Sequence, residues 1–273
     1  MPQLKHIPAI LNKQLRHMTK PRRQGVRIFG LGASKTGTHT LSDMFEAHVR
    51  CGHEADANRL IGHILHKAET QDAGPLHRCL QWRDRIRNLK IDSSSVNAYL
   101  IDDLLTLFPD SRFILTVRSP GVWLRSMLDH SALRDPTDAW KRFRAYRFGP
   151  RSGHPPQEAH LNEAGFYPIA AYLGYWHQSV SAALDRVSDG QLLVLRTEEI
   201  GPRAQEIAEF CGLGALPTPD RTHSYANRFR SGALDGIEDA YLIDMLETHL
   251  GPLARRVLPD WTPQADVMKL RKS

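Results

Sequence analysis

Two stretches of this chain carry residues whose types and spacing could hold an anion. The first is Phe29-Gly30-Leu31-Gly32-Ala33-Ser34-Lys35-Thr36-Gly37-Thr38-His39-Thr40-Leu41. Lys35 brings a full positive charge, and Thr36, Thr38 and Thr40 bring hydroxyl donors. Gly32 and Gly37 let the backbone bend and approach closely. An apolar run precedes the stretch (Val26, Ile28, Phe29, Leu31) and a helical pattern follows it (Leu41, Met44, Phe45, His48). The order is therefore strand, tight glycine turn, helix. The first N–H groups of such a helix have no acceptor within it, and its dipole adds about half a positive charge there. The result is an anion cradle suited to a phosphate or a phosphate-like group.

The common nucleotide patterns do not fit this turn. An ATP-binding loop places lysine directly after the second glycine of G-x-x-x-x-G-K-[ST]. Here Thr38 follows Gly37, and the lysine comes early, at Lys35. The dinucleotide pattern G-x-G-x-x-G fails as well, because Lys35 stands where its third glycine belongs. The second stretch narrows the choice. Arg112-Phe113-Ile114-Leu115-Thr116-Val117-Arg118-Ser119-Pro120 reads as a buried strand ending in Arg118, followed by a helix through Trp123 and Ser126. Ser119 is suited to cap that helix and Pro120 to begin it. Ser126 lies about two turns in, roughly 9 Å along the axis, where it and Arg118 could share one phosphate.

With both stretches in view, the chain resembles the sulfotransferases that use 3′-phosphoadenosine 5′-phosphosulfate (PAPS). The resemblance rests on Lys35-Thr36-Gly37-Thr38, and on Arg118-x-Pro120 with Ser126 eight residues after the arginine. It runs from about Val26 to the C-terminus and is closer to the bacterial and Golgi-type branches than to the cytosolic animal branch. That branch usually has threonine and tryptophan where this chain has His39 and Thr40. The resemblance implies that residues Ser34 to Thr40 (Ser34, Lys35, Thr36, Gly37, Thr38, His39, Thr40) hold the 5′-phosphosulfate. It implies that Arg118 and Ser126 hold the 3′-phosphate, with Arg228, and Arg230 beside it, in a loop that completes that site. The implied fold is a P-loop-like three-layer α/β/α arrangement with a central parallel sheet and a helical insertion.

The elements that must position these residues can be read in order. Strands are expected at about 26–31, 49–53, 89–91, 112–118 and 191–195. Helices are expected at about 36–48, 57–69, 75–88, 96–108, 120–130, 167–187, 202–211 and 236–256, the last closing the chain. Strands that alternate with helices in this way predict an α/β fold with a parallel sheet covered on both faces. In such sheets ligands bind at the carboxyl ends of the strands. Here those ends carry Lys35, Glu54, Asp92, Arg118 and Arg196. The polar segment 131–165 contains Phe148-Gly149-Pro150-Arg151-Ser152-Gly153-His154-Pro155-Pro156 and reads as a lid or an acceptor-binding insertion.

Composition bounds the remaining classes. The 273 residues suit one α/β domain, taken as residues 25–273 behind a basic tail at 1–24. That tail holds Lys5, Lys13, Arg16, Lys20, Arg22 and Arg23 and no acid, so it accounts for the whole net charge of +6. The basicity therefore does not describe a nucleic-acid-binding domain. Ile7, Ile10, Leu11 and Leu15 give the tail an amphipathic pattern. It suits packing on the domain or a partner, or peripheral contact with an anionic membrane. No apolar run reaches the length of a membrane span or of a secretory signal core, and Cys51, Cys79 and Cys211 are scattered. A cytoplasmic protein is the expectation.

Sulfuryl transfer, like phosphoryl transfer, puts charge on equatorial oxygens and on the leaving oxygen of an in-line transition state. Lys35 and the amides of residues 37–40 suit that charge. For the base that takes the acceptor's proton, Glu54 comes first and His53 second, at the strand end where Golgi-type relatives place a catalytic glutamate; Asp92 is third. No metal is called for, and His63 and His66 lack a third ligand nearby. The acceptor would be a small molecule, a carbohydrate or a lipid. The competing readings are a P-loop kinase-like ATP-dependent phosphotransferase, and a non-catalytic nucleotide-binding protein on the same fold.

Overall fold

The computed structural model describes residues 20, 22–133, 135–214 and 229–272. Five strands pair in parallel: β1 Ile28–Leu31, β2 Cys51–His53, β3 Ile91–Ser93, β4 Arg112–Val117 and β5 Leu192–Arg196, in the spatial order β2-β3-β1-β4-β5. Ile28 of the central strand is in register with Ile91 on one side and Arg112 on the other. The carboxyl ends of β1, β3 and β4 therefore emerge together. The strand order reverses at β1, and an open parallel sheet forms its crevice at such a switch point.

Side chains alternate across each strand and separate two cores. Phe29, Leu31, Phe113, Leu115 and Val117 join one apolar cluster, whereas Ile28 and Ile114 join the other. Against the first face pack α2 (Ala57–Thr70), α3 (Gly74–Arg87), α4 (Ile101–Leu107), α5 (Pro120–Leu133), α8 (Ile169–Arg186) and α10 (Asp239–Val257). Against the second pack α1 (Thr38–Phe45) and α9 (Ala204–Phe210). This is the three-layer arrangement expected from the sequence. Leu41, Met44 and Phe45 of α1 are fully buried, and at about 1.5–3 kcal/mol each they hold that short helix without help from its N-terminus.

The expected elements fall within a few residues of their positions, with three differences. The helix expected at 96–108 is divided into a 3₁₀ turn, Asn97–Tyr99, and α4. The Asn97 amide is the cause: its Nδ2 donates to Gly30 O at 3.1 Å and Asp92 O at 2.9 Å, fastening the turn to two strand ends. The segment 131–165, read as polar and looping, carries helical structure: α5 runs on to Leu133. The segment then forms α6 (Asp138–Phe148), a connection at 149–155, a 3₁₀ turn at Pro156–Glu158 and α7 (Ala159–Glu163). Beyond α10 lies a further helix, α11 (Pro263–Lys272), where the sequence reading ended the chain.

Most of the basic tail lies outside the described residues. Arg23, placed in that tail, is docked instead: its Nη1 donates to Asp84 Oδ1 at 2.6 Å and its amide to Asn88 Oδ1 at 2.7 Å. Among the described residues no helix is long and apolar enough to cross a membrane.

Candidate functional site

The glycine turn after β1 is held from beneath by a ladder of hydroxyls. Gly32 has φ 125°, and a Cβ there would lie 2.5 Å from Thr116 O, so glycine is required. Lys35 itself adopts φ 74° and Gly37 φ 101°. The Thr36 hydroxyl, expected to face the anion, is turned into the fold. It donates to Ala33 O at 2.8 Å and lies 2.9 Å from Thr116 Oγ1. Thr197 Oγ1, just past β5, donates to Thr36 O at 2.6 Å. Ser34 is fixed by two aromatic side chains: its amide donates to the Tyr175 hydroxyl at 2.7 Å, and Trp123 Nε1 donates to its carbonyl at 2.8 Å. Trp123 is fully buried, as a core residue would be.

The helix that follows keeps its N-terminus open. Its cap position is Gly37, with no side-chain cap and no acid in the first turn. Its first bond runs from Leu41 N to Gly37 O at 3.0 Å. The amides of Thr38, His39 and Thr40 consequently have no acceptor within the helix, which is the electrostatic condition for anion binding.

Strands β2 and β3 bring the base candidates to this edge. Thr38 Oγ1 lies 3.3 Å from His53 Nε2, and the His39 and His53 rings are 4.6 Å apart, centroid to centroid. His39 Nδ1 is 2.8 Å from Asp43 Oδ2. Ser93 Oγ donates to Thr38 O at 2.7 Å. The next two serines hold Glu54: Ser94 Oγ donates to Oε2 at 2.8 Å, and Ser95 donates to Oε1 from its amide at 3.1 Å and its hydroxyl at 2.9 Å. Glu54 is thus oriented by three donors while remaining half-exposed. The third base candidate is not available. Asp92 is buried and forms a two-pronged pair with Arg83, through Nη1 to Oδ2 and through Nη2 to Oδ1 at 2.9 Å.

Arg118 stands just past β4, half-buried, its carbonyl accepting from Trp176 Nε1 at 3.1 Å. Burial and the neighbouring Arg125 push its pKa below the ordinary arginine value, against Glu198 and Asp266. Among the described residues no carboxylate comes within ion-pair distance of its guanidinium. The helix after it is capped from afar rather than by Ser119: Asp266 of α11 accepts from Gly121 N at 2.7 Å, Val122 N at 3.3 Å and Trp261 Nε1 at 2.7 Å. Ser126 is half-exposed on α5. Beside it, Arg125 lines a cleft of about 270 Å³ with Arg230, Arg271 and Asp129. Arg125 Nη1 is tied to Leu270 O and Arg271 Nη1 to Leu234 O at 2.7 Å, so α11 shapes this cleft. Arg228 lies outside the described residues. Arg196 faces Glu199 and, at 3.6 Å, Asp260.

The structure therefore gathers Ser34 to Thr40, His53 and Glu54 at one sheet edge, with Arg118 on the adjoining strand end. Tyr175, Ser94, Ser95 and Arg125 were not singled out from the sequence. The serines had a signal, a run directly after a strand; Tyr175 had none, because its ring belongs to the apolar stripe of α8.

A sulfotransferase domain family matches residues 27–151. Among solved structures the chain is similar to a sulfotransferase from Alicyclobacillus acidocaldarius, at 15% identity over 91% of this chain and 100% of that one, with a TM-score of 0.52. It is also similar to the sulfotransferase domain of the olefin synthase from Synechococcus PCC 7002, at 14% identity over 93% of this chain and 96% of that one, with a TM-score of 0.42. The first likeness shows a shared fold, the parallel sheet with flanking helices. No curated protein matches the chain.

Proposed function

We propose, from the match of a sulfotransferase domain family to residues 27–151, that the chain moves a sulfuryl group from PAPS to a hydroxyl or amine acceptor. One observation carries the reading: an open helix N-terminus meets an oriented carboxylate and an imidazole at one sheet edge. Thr38 touches His53, and the serine run that donates to Thr38 O also holds Glu54.

The residues present fit a nucleotide bearing two separate anionic groups. The amides of residues 37–40 and Lys35 would hold the 5′-phosphosulfate. Arg118 and Ser126, with Arg230 and, by the sequence resemblance alone, Arg228, would hold the 3′-phosphate. When bound, the donor supplies the sulfuryl group and a leaving oxygen that gathers charge. Lys35 and the loop amides stabilise that charge; losing one such donor costs about 10²–10³ in rate in comparable sites. Glu54, fixed by Ser94 and Ser95, takes the acceptor's proton, and His53 is the second candidate for that role.

The test is Glu54→Gln. The amide keeps the shape of the carboxylate and an oxygen for the Ser95 N–H, so affinity for 3′-phosphoadenosine 5′-phosphate should hold while turnover falls by about 10²–10⁴. Loss of turnover in His53→Ala but not in Glu54→Gln would move the base to His53. Full turnover in both would overturn the base assignment.

A further inference from the structure

We propose that Arg147 holds an anionic group of the acceptor, so that the molecule modified carries a carboxylate, phosphate or sulfate besides its reactive hydroxyl or amine. The inference rests on the sulfotransferase reading and names the substrate class for it.

Arg147 ends α6 inside a box of rings. Its guanidinium carbon lies 4.0 Å from the ring centroid of Tyr175, 4.6 Å from Phe143 and 5.6 Å from Tyr99. Aromatic faces attract a cation, but they satisfy none of the five N–H donors in its plane. Nε and Nη2 are buried and make no hydrogen bond of good geometry among the described residues; the buried Tyr99 hydroxyl is the one group that approaches them as a weak partner. Burial opposes the charge of Arg147, yet Tyr175, Tyr99 (by its charge and by a side-chain hydrogen bond) and Glu54 raise its pKa, so it stays a cation. Among the described residues no carboxylate pairs with it; Glu54 acts on it only at longer range. A buried charge left in this condition is costly unless something completes it. Of its three guanidinium nitrogens only Nη1 lies outside this buried set, so Nη1 is the atom a ligand would meet.

Position and surroundings specify what that ligand is. Tyr175, whose ring covers the guanidinium, is the same residue whose hydroxyl accepts the Ser34 amide at 2.7 Å. The cation is thus one side chain from the anion loop and within the field of Glu54, where an acceptor has to lie. Residues 138–151 add Lys141, Arg142, Arg144 and Arg151 against a single acid, Asp138. The planar fork of an arginine matches a carboxylate or a phosphate with paired hydrogen bonds, and the rings around it suit a flat or apolar body attached to that group.

The experiment uses the full chain saturated with 3′-phosphoadenosine 5′-phosphate, so that the donor loop is filled. Calorimetry then compares 4-hydroxybenzoate with its methyl ester, and phenyl phosphate with phenol; the two pairs separate a carboxylate from a phosphate preference. In at least one pair the anion should bind about tenfold tighter or more than its neutral partner. Arg147→Gln should abolish that preference and leave affinity for the nucleotide within about twofold. The wild-type comparison stands even if Arg147→Gln loosens the aromatic box. Equal binding within both pairs, binding of no anion, or a preference that survives Arg147→Gln would overturn the proposal. So would loss of nucleotide affinity in Arg147→Gln, which would place the cation in the donor site. If the nucleotide fails to bind wild type, the sulfotransferase reading fails first, and this inference with it.

Discussion

Arg83 ties the end of β3 to the turn at residues 54–56, and Asp92→Asn tests that arrangement. The guanidinium forms the two-pronged pair with Asp92 at the end of β3, donates to Ala55 O at 2.9 and 3.2 Å, and lies 3.5 Å from Asp56. Ala55 follows Glu54, in a turn where Glu54 and Asp56 both have positive φ, 51° and 58°. Such backbone persists only where its surroundings hold it. The side chains of Arg83 and Asp92 are 7% and 5% exposed, so removing one charge strands the other out of water. Breaking a buried pair from one side costs about 3–5 kcal/mol. Asparagine keeps one acceptor oxygen, which favours the lower end, about 3 kcal/mol. At about 2–4 °C per kcal/mol for a chain of this size, Tm should fall by roughly 6–12 °C. Thermal denaturation measures this, and calorimetry at low temperature measures nucleotide affinity, which should be unchanged. Adding Arg83→Met to Asp92→Asn should recover much of the stability, since an apolar side chain needs no counter-charge. It should not recover turnover, because the anchor of the Glu54 turn is gone. An unchanged Tm in Asp92→Asn would refute the buried-pair argument. Loss of nucleotide affinity with the fold intact would return Asp92 to the functional site.

Two further expectations follow from the same kind of accounting. Asp266→Ala removes the cap of α5, worth about 0.5–2 kcal/mol, and leaves the buried Trp261 N–H unpaired at about 1–3 kcal/mol; a Tm drop of roughly 3–20 °C is expected by denaturation, whereas a surface residue would give almost none. Asp56, bonded by Arg87, and Asp84, where burial is overcome by Arg27 and Arg23, have pKa values held below the ordinary 3.8. Their stabilisation is present above that value and is lost as pH falls through the lower folded values. Asp84→Asn should therefore lower stability at neutral pH and flatten its decline below about pH 4, as urea titrations across that range would show.

The elements that hold the anion loop were legible because their physics is local. Near-continuous apolar runs mark β1 and β4 as strands covered on both faces, and the glycines mark a turn that only they can make. What escaped depends on partners distant in sequence. Asp92 read as a free strand-end acid because Arg83 sits on a helix whose many charges look like a solvated face. Thr36 read as an outward donor because Thr116, which its hydroxyl meets, is 80 residues away. The helix α11 has few buried apolar residues, Val267 and Leu270 among them, and its main anchor is the buried acid Asp266, so its pattern carries little hydrophobic period. Arg147 was passed over because an arginine in a basic segment gives no sign that aromatic rings from other elements surround it.

The central claim is that this fold binds a 3′-phosphorylated adenosine nucleotide through Arg118. Calorimetric titration of wild type and Arg118→Ala with 3′-phosphoadenosine 5′-phosphate, ADP and Mg-ATP tests it most directly. Wild type should prefer the 3′-phosphorylated nucleotide over ADP by about tenfold or more, the worth of one charge-assisted contact, and Arg118→Ala should erase that preference. Tighter binding of Mg-ATP, or an Arg118→Ala protein that still discriminates, would contradict the account.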